Sequence, residues 1–157
     1  IGDTIKFTSL EPFRIIVTGR IKHFLSAFGE HVISEEVEKA MEAATKLHNV
    51  AIREFTVAPN INPKEMLPHH EWYVEFESLP KDMLAFSKAL DKEMTRLNIY
   101  YKDLIDGKIL KSLEVISVIR GGFNQYMKSE GRLGGQNKVP RLSNDRKIAD
   151  KLKTIST

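Results

Sequence analysis

Residues 71–77, Glu-Trp-Tyr-Val-Glu-Phe-Glu, determine how the rest of the chain is interpreted. Apolar and polar residues alternate along this stretch, which is typical of a strand with one buried face and one exposed face. The buried face would carry Trp72, Val74 and Phe76, and the exposed face would carry Glu71, Tyr73, Glu75 and Glu77. The stretch therefore predicts a strand in a sheet whose outer face is acidic.

The segments around this strand predict an α+β fold. β-Branched runs and apolar residues at helical spacing mark the neighbouring elements. The predicted elements are strands at 30–33, 50–57, 71–77 and 113–119 and helices at 34–49 and 80–97. Their order is strand, helix, strand, strand, helix, strand, which is the ferredoxin-like alternation. We expect an N-terminal hairpin before this core and a helical extension after it, with Asn144 capping the last helix.

Composition limits the classes of protein to which the chain can belong. Its 157 residues suit one domain, and its 41% hydrophobic and 29% charged content is ordinary for a soluble globular protein. No apolar run reaches the length needed to cross a bilayer, so we expect no membrane partner. The absence of cysteine excludes disulfides and thiolate chemistry and favours the cytoplasm. His69, His70 and Glu71 are adjacent, so their side chains diverge and do not predict a metal site.

Charge is unevenly distributed along the chain. The net charge is +3, but the tail from residue 127 onward carries eight basic and three acidic side chains, so the tail is +5 and the remainder −2. This asymmetry predicts an anionic partner for the tail, either phosphate or a negative protein surface.

Within the tail, the segment 134–141 reads Gly-Gly-Gln-Asn-Lys-Val-Pro-Arg. The glycines allow the backbone to move or to approach a ligand closely, and Pro140 restricts the backbone at Val139. Such a loop could deliver the ammonium group of Lys138 to a site and withdraw it. Taken alone, the loop is better explained as a solvated basic turn, because charged loop residues are usually exposed.

Three segments together resemble one family. Gly2-Asp3 is similar to the glycine-aspartate that closes the large domain of adenylate-forming enzymes, and residues 19–26 with Gly29-Glu30-His31 resemble the hinge and hairpin that open their small domain. The stretch from Leu113 through Phe123 to Gln136-Asn137-Lys138-Val139-Pro140-Arg141 is similar to the Gretchen Hagen acyl-acid amido synthetases, the auxin-responsive promoter family.

The resemblance implies a function. Members of this family use ATP to convert a carboxylic acid into an acyl-adenylate and then transfer the acyl group to an amine, typically an amino acid. The small domain turns against the large one between the two half-reactions. The resemblance implies that Mg²⁺ and most of the ATP are held by a large N-terminal domain that is not in this sequence, so this chain alone should lack ligase activity.

The resemblance also implies residue roles. Lys138 would be the catalytic residue at the α-phosphate, and Lys22 would lie at the hinge. Asp3, Arg20 and His31 would bind ATP or AMP, while Gln136, Pro140 and Arg141 would support the Lys138 loop. The implied domain boundaries are 1–20, the end of the large domain with the hinge, and 21–157, the small domain. The chain begins at Ile1, which indicates a piece of a longer protein.

Two departures from the plant members predict a bacterial origin. Plant members have a lysine where His31 stands and a bulkier residue where Asn137 stands. The main alternative is a non-catalytic ferredoxin-like binding module whose basic tail contacts RNA or protein. The acidic face predicted for 71–77 would repel RNA phosphates and disfavours a nucleic-acid partner. A degenerate domain kept only for assembly is the second alternative.

Overall fold

The computed structural model describes residues 3–20, 24–132, 134 and 137–156. Seven strands and five helices lie within these ranges. The strands are β1 (Asp3–Leu10), β2 (Phe13–Arg20), β3 (Phe24–Leu25), β4 (Val32–Ile33), β5 (Ile52–Asn60), β6 (His69–Phe76) and β7 (Glu114–Val118). The helices are α1 (Ser34–His48), α2 (Met83–Leu97), α3 (Ile99–Asp106), α4 (Gly122–Ser129) and α5 (Lys147–Ser156).

The central sheet has the order β5-β6-β7. β5 and β6 are antiparallel, whereas β6 and β7 are parallel because α2 and α3 lie between them in the chain and form the crossover. The mixed α+β class predicted from the sequence is confirmed. The elements β4, α1, β5, β6, α2 and β7 follow the predicted alternation, and β4 pairs with β3 in a short hairpin.

One face of the sheet packs against α1, α2 and α3. Trp72, Val74 and Phe76 of β6 contribute to this core, as the alternation predicts. The helices contribute small and large apolar side chains at helical spacing: Val37, Ala40, Met41 and Ala44 from α1, Phe86, Leu90 and Met94 from α2, and Tyr101 from α3. These side chains are almost completely withdrawn from water, which is the main driving force for this packing.

The other face of the sheet is covered as well, so the prediction of an exposed acidic face is wrong. Helices α4 and α5 pack on this face and form a second core with Tyr73 and Val118. Glu71 and Glu75 are each only 4% exposed, and of the predicted outer face only Glu77 reaches solvent. The sheet therefore offers no open surface of the kind on which RNA bases stack.

The β1–β2 hairpin differs from the rest of the structure in its exposure. The strands pair along their whole length, from Asp3 opposite Arg20 to Leu10 opposite Phe13. Its large apolar side chains are 48–77% exposed and join neither core: Ile5, Phe7, Leu10, Phe13, Ile15, Ile16 and Val17. A surface of this kind on a folded domain normally marks a contact with another domain or protein. Among the described residues, no helix is both long and apolar enough to span a membrane.

Candidate active site

The residues that follow Lys138 are fixed to the edge of the sheet. Val57 of β5 donates its N–H to the carbonyl of Arg141 at 2.9 Å and accepts the N–H of Ser143 at 3.0 Å. Thr56 Oγ1 donates to the carbonyl of Pro140 at 2.7 Å. Val139 is buried in the core beneath α4 and α5. Lys138 therefore precedes a segment that is held both by backbone hydrogen bonds and by apolar packing.

Arg141 joins this segment to α1 and β5. Its Nε donates to Glu38 Oε1 at 3.2 Å, and its Nη1 donates to a carboxylate oxygen of Glu54 and to the carbonyl of Phe55, the latter at 3.1 Å. The guanidinium carbon lies 4.5 Å from the centre of the Phe55 ring, which adds a cation–π contact. The Arg141 side chain is directed onto its own domain.

Lys138 lies at a polar cleft of about 220 Å³. The cleft is lined by Arg53, Glu54, Glu75, Phe123, Asn124, Met127, Asn137, Lys138 and Val139. Lys138 is exposed, and no ion pair joins it to the part of the chain that the structure describes. The ammonium group is therefore available to a ligand.

Both acidic residues of the cleft already have hydrogen-bond donors. Glu75 accepts the N–H of Gly121 at 2.7 Å and that of Phe123 at 3.3 Å, which places its carboxylate at the N-terminus of α4. Glu54 accepts from Arg141 and from its neighbour's N–H. The cleft therefore contains acidic groups that hold the fold together and a lysine that is paired with no described residue.

The other basic side chains of the tail are partly neutralised inside the fold. Arg146 donates to Glu71 Oε2 at 2.6 Å and to Asp150 Oδ1 at 3.1 Å, and Lys151 pairs with Glu130. Lys147 Nζ also lies 4.0 Å from Asp145 Oδ2. Together with Arg141, at least four basic side chains of the tail thus have acidic partners among the described residues. Part of the tail's positive charge is therefore paired within the domain, and the anionic partner of the tail stays a prediction.

The Arg146–Glu71 pair shows how a carboxylate is kept charged in the second core. Burial alone would raise the pKa of Glu71, but hydrogen bonds from Arg146 and Tyr73 outweigh burial and hold the pKa below its ordinary value of 4.5. Burial and the same carboxylate raise the pKa of Tyr73, which therefore stays protonated and donates to Glu71 at 2.8 Å.

His31 occupies a separate position from Lys138. It lies in the loop between β3 and β4 with φ of 48°, is exposed, and its Nδ1 is 3.2 Å from Ser26 Oγ. It does not line the Lys138 cleft. The loop is held by Glu30, which is fully buried and whose carboxylate lies 2.9 Å from His70 Nε2.

Asn144 connects these two regions. Its Nδ2 donates to the carbonyl of Phe24 at 2.6 Å, and its Oδ1 accepts the N–H of Ser26 at 3.0 Å. The prediction that Asn144 caps the last helix is wrong, because α5 begins at Lys147, whose N–H is accepted by Asp145. The hairpin that bears His31 and the segment that bears Lys138 are thus tied by one amide.

The remaining predicted site residues are described only in part. Asp3 and Arg20 are opposite each other at the open end of the β1–β2 hairpin. Their side chains lie outside the described part of the structure, as do Lys22 and Gln136 altogether. Among the described residues, no three His, Asp or Glu side chains form a group that could hold a metal ion.

Sequence reasoning did not identify Arg53 and Glu75 as members of the Lys138 cleft. In the sequence, Arg53 belongs to a β-branched run that predicts only a strand, and the alternation of 71–77 predicts an exposed Glu75. The only available signal was the Arg-Glu pair at the start of a strand, which is too common to predict a site.

Comparison with known proteins agrees with this architecture. Residues 35–147 match the family model described as the GH3 family C-terminal domain. No curated protein matches the chain. A solved structure described as GH3.15 acyl acid amido synthetase superposes with a TM-score of 0.77 at 19% identity, over 100% of this chain and 31% of that chain.

A second structure, described as AtGH3.15 acyl acid amido synthetase in complex with 2,4-DB, gives a TM-score of 0.72 at 21% identity and covers 100% of this chain and 30% of that chain. At these identities the likeness shows the fold. This chain spans about a third of the length of the structures that it matches.

Proposed function

Because the chain belongs to the GH3 family, as its C-terminal domain, we propose that it is the small, mobile domain of an ATP-dependent ligase. The ligase would join a carboxylic acid to an amine, with an amino acid as the amine. The large N-terminal domain of the same protein would be its permanent partner. The observation that carries the proposal is Lys138, an exposed cation that lines a polar cleft of the matched domain and is bonded to no other described residue.

The exposed hairpin supports a domain division near residue 20. The apolar side chains of β1 and β2 join neither core of this domain, so they need another surface to cover them. We assign residues 1–20 to the end of the large domain and residues 21–157 to the small one. Lys22 then falls at the hinge, where a few backbone dihedrals would absorb the rotation between half-reactions.

The proposed first half-reaction is attack of a carboxylate oxygen on the α-phosphorus of ATP. A new oxygen–phosphorus bond forms, the bond from the α-phosphorus to its bridging oxygen breaks, and pyrophosphate leaves. Lys138 would place its charge against oxygens on which negative charge develops, and such a contact contributes about 3–4 kcal/mol in a site that excludes water. In the second half-reaction the amine nitrogen forms a bond to the acyl carbon, the bond from that carbon to the phosphate oxygen breaks, and AMP and the amine's proton leave.

The hydrogen bonds of the segment after Lys138 limit the ways in which this lysine could reach the reacting phosphate. The segment after it is bonded to Thr56 and Val57 and is fixed by Arg141. These bonds support the proposed role of Pro140 and Arg141 in holding the Lys138 loop. Lys138 would therefore enter and leave the site mainly by rotation of the whole domain. We propose that Asp3, Arg20 and His31 contact the nucleotide from the hairpin and hinge side, and that Gln136 helps to support the loop.

The test is acid-dependent ATP–pyrophosphate exchange by the full-length protein and its Lys138→Ala variant. We expect at least about 100-fold slower adenylation in this variant. Lys64→Ala is the matched control, since Lys64 is an exposed loop lysine outside the cleft, and it should exchange at the wild-type rate.

Near-normal exchange by Lys138→Ala would remove the role given to this lysine, and no exchange with any acid by the wild-type protein would remove the proposed function. The 157-residue chain alone should show no exchange, because the acid and most of the ATP would be bound elsewhere. Exchange by the isolated chain would contradict the proposal that the large domain binds the acid and most of the ATP.

A further inference from the structure

Arg53 lies at an irregularity in β5 that sets the direction of its side chain. Ile52 is opposite Phe76 and Glu54 is opposite Glu75, so β5 uses two residues where β6 uses one. Arg53 is the extra residue of this bulge. Bulges interrupt the regular alternation of side chains and are frequent beside active sites, where they redirect a residue. Here the redirected side chain lines the Lys138 cleft.

The two carboxylates that line the cleft with Arg53 are held by other groups. Glu54 is engaged by Arg141, and Glu75 is engaged by the backbone at the start of α4. Arg53 is exposed, and neither a hydrogen bond nor an ion pair links it to another described residue. Within the described part of the structure, the cleft therefore presents two cations, Arg53 and Lys138, that are bonded to no carboxylate.

The size and donors of the cleft indicate the kind of ligand. Asn124 and Asn137 line it and add amide groups to the two cations. Its volume, about 220 Å³, is smaller than the roughly 300 Å³ at which cavities begin to hold whole ligands. It suits the charged part of a larger molecule, and a guanidinium beside an ammonium matches several phosphate oxygens at once.

We propose that Arg53 is a second phosphate-binding residue, which grips the phosphate chain of the nucleotide next to the oxygens contacted by Lys138. The inference rests on the proposed function in that the nucleotide would be supplied in the large domain's site. Arg53 would hold the phosphates in line while the pyrophosphate separates, and would leave with Lys138 when the domain turns.

The test is equilibrium binding of ATP, AMP, pyrophosphate and adenosine to the full-length protein, for the wild type, Arg53→Ala and Arg53→Lys. We expect Arg53→Ala to weaken binding of ATP or pyrophosphate at least about 10-fold, as loss of a charge-assisted contact does. Arg53→Lys should restore part of the affinity because it keeps the charge without the planar fork. Adenosine affinity should be unchanged, since adenosine carries no phosphate.

Arg96→Ala is the matched control, because Arg96 is an exposed arginine of α2 that pairs with Glu93 and lies outside the cleft. It should bind every probe as the wild type does. Loss of AMP affinity in Arg53→Ala together with ATP affinity supports the inference and places Arg53 at the α-phosphate. Loss confined to ATP and pyrophosphate supports it and places Arg53 at the outer phosphates.

The inference is overturned if all three phosphate-bearing probes bind Arg53→Ala within twofold of the wild type, if adenosine affinity falls as much as ATP affinity, or if the wild type binds none of the phosphates. Exchange activity separates the two proposals. If the wild-type protein catalyses acid-dependent exchange and Arg53→Ala binds the phosphate-bearing probes with unchanged affinity, the role of Arg53 is refuted and the proposed ligase function stands. If ATP binding depends on Arg53 but the wild-type protein shows no acid-dependent exchange, the proposed ligase function is refuted and the phosphate-binding role of Arg53 stands.

Discussion

Glu71→Gln tests whether the buried ion pair under α5 holds the C-terminal segment in place. The carboxylate of Glu71 is nearly inaccessible and accepts from Arg146 at 2.6 Å, Tyr73 at 2.8 Å and Asn60 at 2.9 Å. Glutamine has almost the same shape, so the substitution removes the charge and one acceptor oxygen without creating a cavity. The loss therefore measures the electrostatic contribution of the pair.

The expected loss in the free energy of unfolding depends on the hydrogen bonds that Arg146 retains in the variant. Breaking a fully buried pair costs about 3–5 kcal/mol, because an uncompensated charge stays behind. Arg146 is 26% exposed and still donates to Asp150 and to the carbonyl of Pro59, so part of its charge remains satisfied. We expect a loss of about 2–3 kcal/mol in the free energy of unfolding, or a fall of about 4–12 °C in Tm for a chain of this size.

Urea unfolding of the 157-residue chain, followed by far-UV circular dichroism, measures this loss. The control is Glu35→Gln, which breaks a solvated pair with Lys39 on α1 and should change the free energy of unfolding by less than about 0.5 kcal/mol. Equal effects of the two substitutions would refute the assignment of Glu71 as a buried structural anchor, and so would a Glu71→Gln variant more stable than the wild type.

Two further predictions concern acid and packing. Glu30 and Glu71 both have pKa values below their ordinary 4.5 in the folded state, because hydrogen bonds from His70 and Arg146 respectively outweigh burial. Their contribution to the free energy of unfolding is therefore complete above about pH 4.5 and is lost as the pH falls through the lower folded pKa values. Urea titrations at a series of pH values should show this decline, with a smaller slope in Glu71→Gln; a slope identical to that of the wild type would contradict it. Gly122→Ala, at the start of α4, should lower the free energy of unfolding by about 1–3 kcal/mol, because the new Cβ would lie 2.5 Å from Val118 Cγ1 of β7. Gly131→Ala, at a positive φ but in open space, should cost only about 1 kcal/mol in the same denaturation assay, and the reverse ranking would contradict the packing argument.

The prediction for 71–77 shows where sequence reasoning succeeded and where it failed. The alternation correctly separated Trp72, Val74 and Phe76 from Tyr73 and its neighbours, because side chains of a strand alternate whatever covers them. It could not show that α4 and α5 cover the polar face. Glu71 and Glu75 have the pattern of surface residues because their partners, Arg146 and the backbone at Gly121, are 75 and 46 residues away in the chain.

Local sequence determined the order and type of the main elements, the family resemblance and the choice of Lys138, because periodicity and short motifs are properties of neighbouring residues. Which charges are available to a ligand follows from the packing of distant elements. Arg141 and Arg146 are paired with carboxylates of distant elements, whereas Lys138 and Arg53 line one cleft and are bonded to no other described side chain. The availability of a charge depends on the position of its counter-ion in space, and the Coulomb energy that pairs them follows distance in the fold rather than separation along the chain.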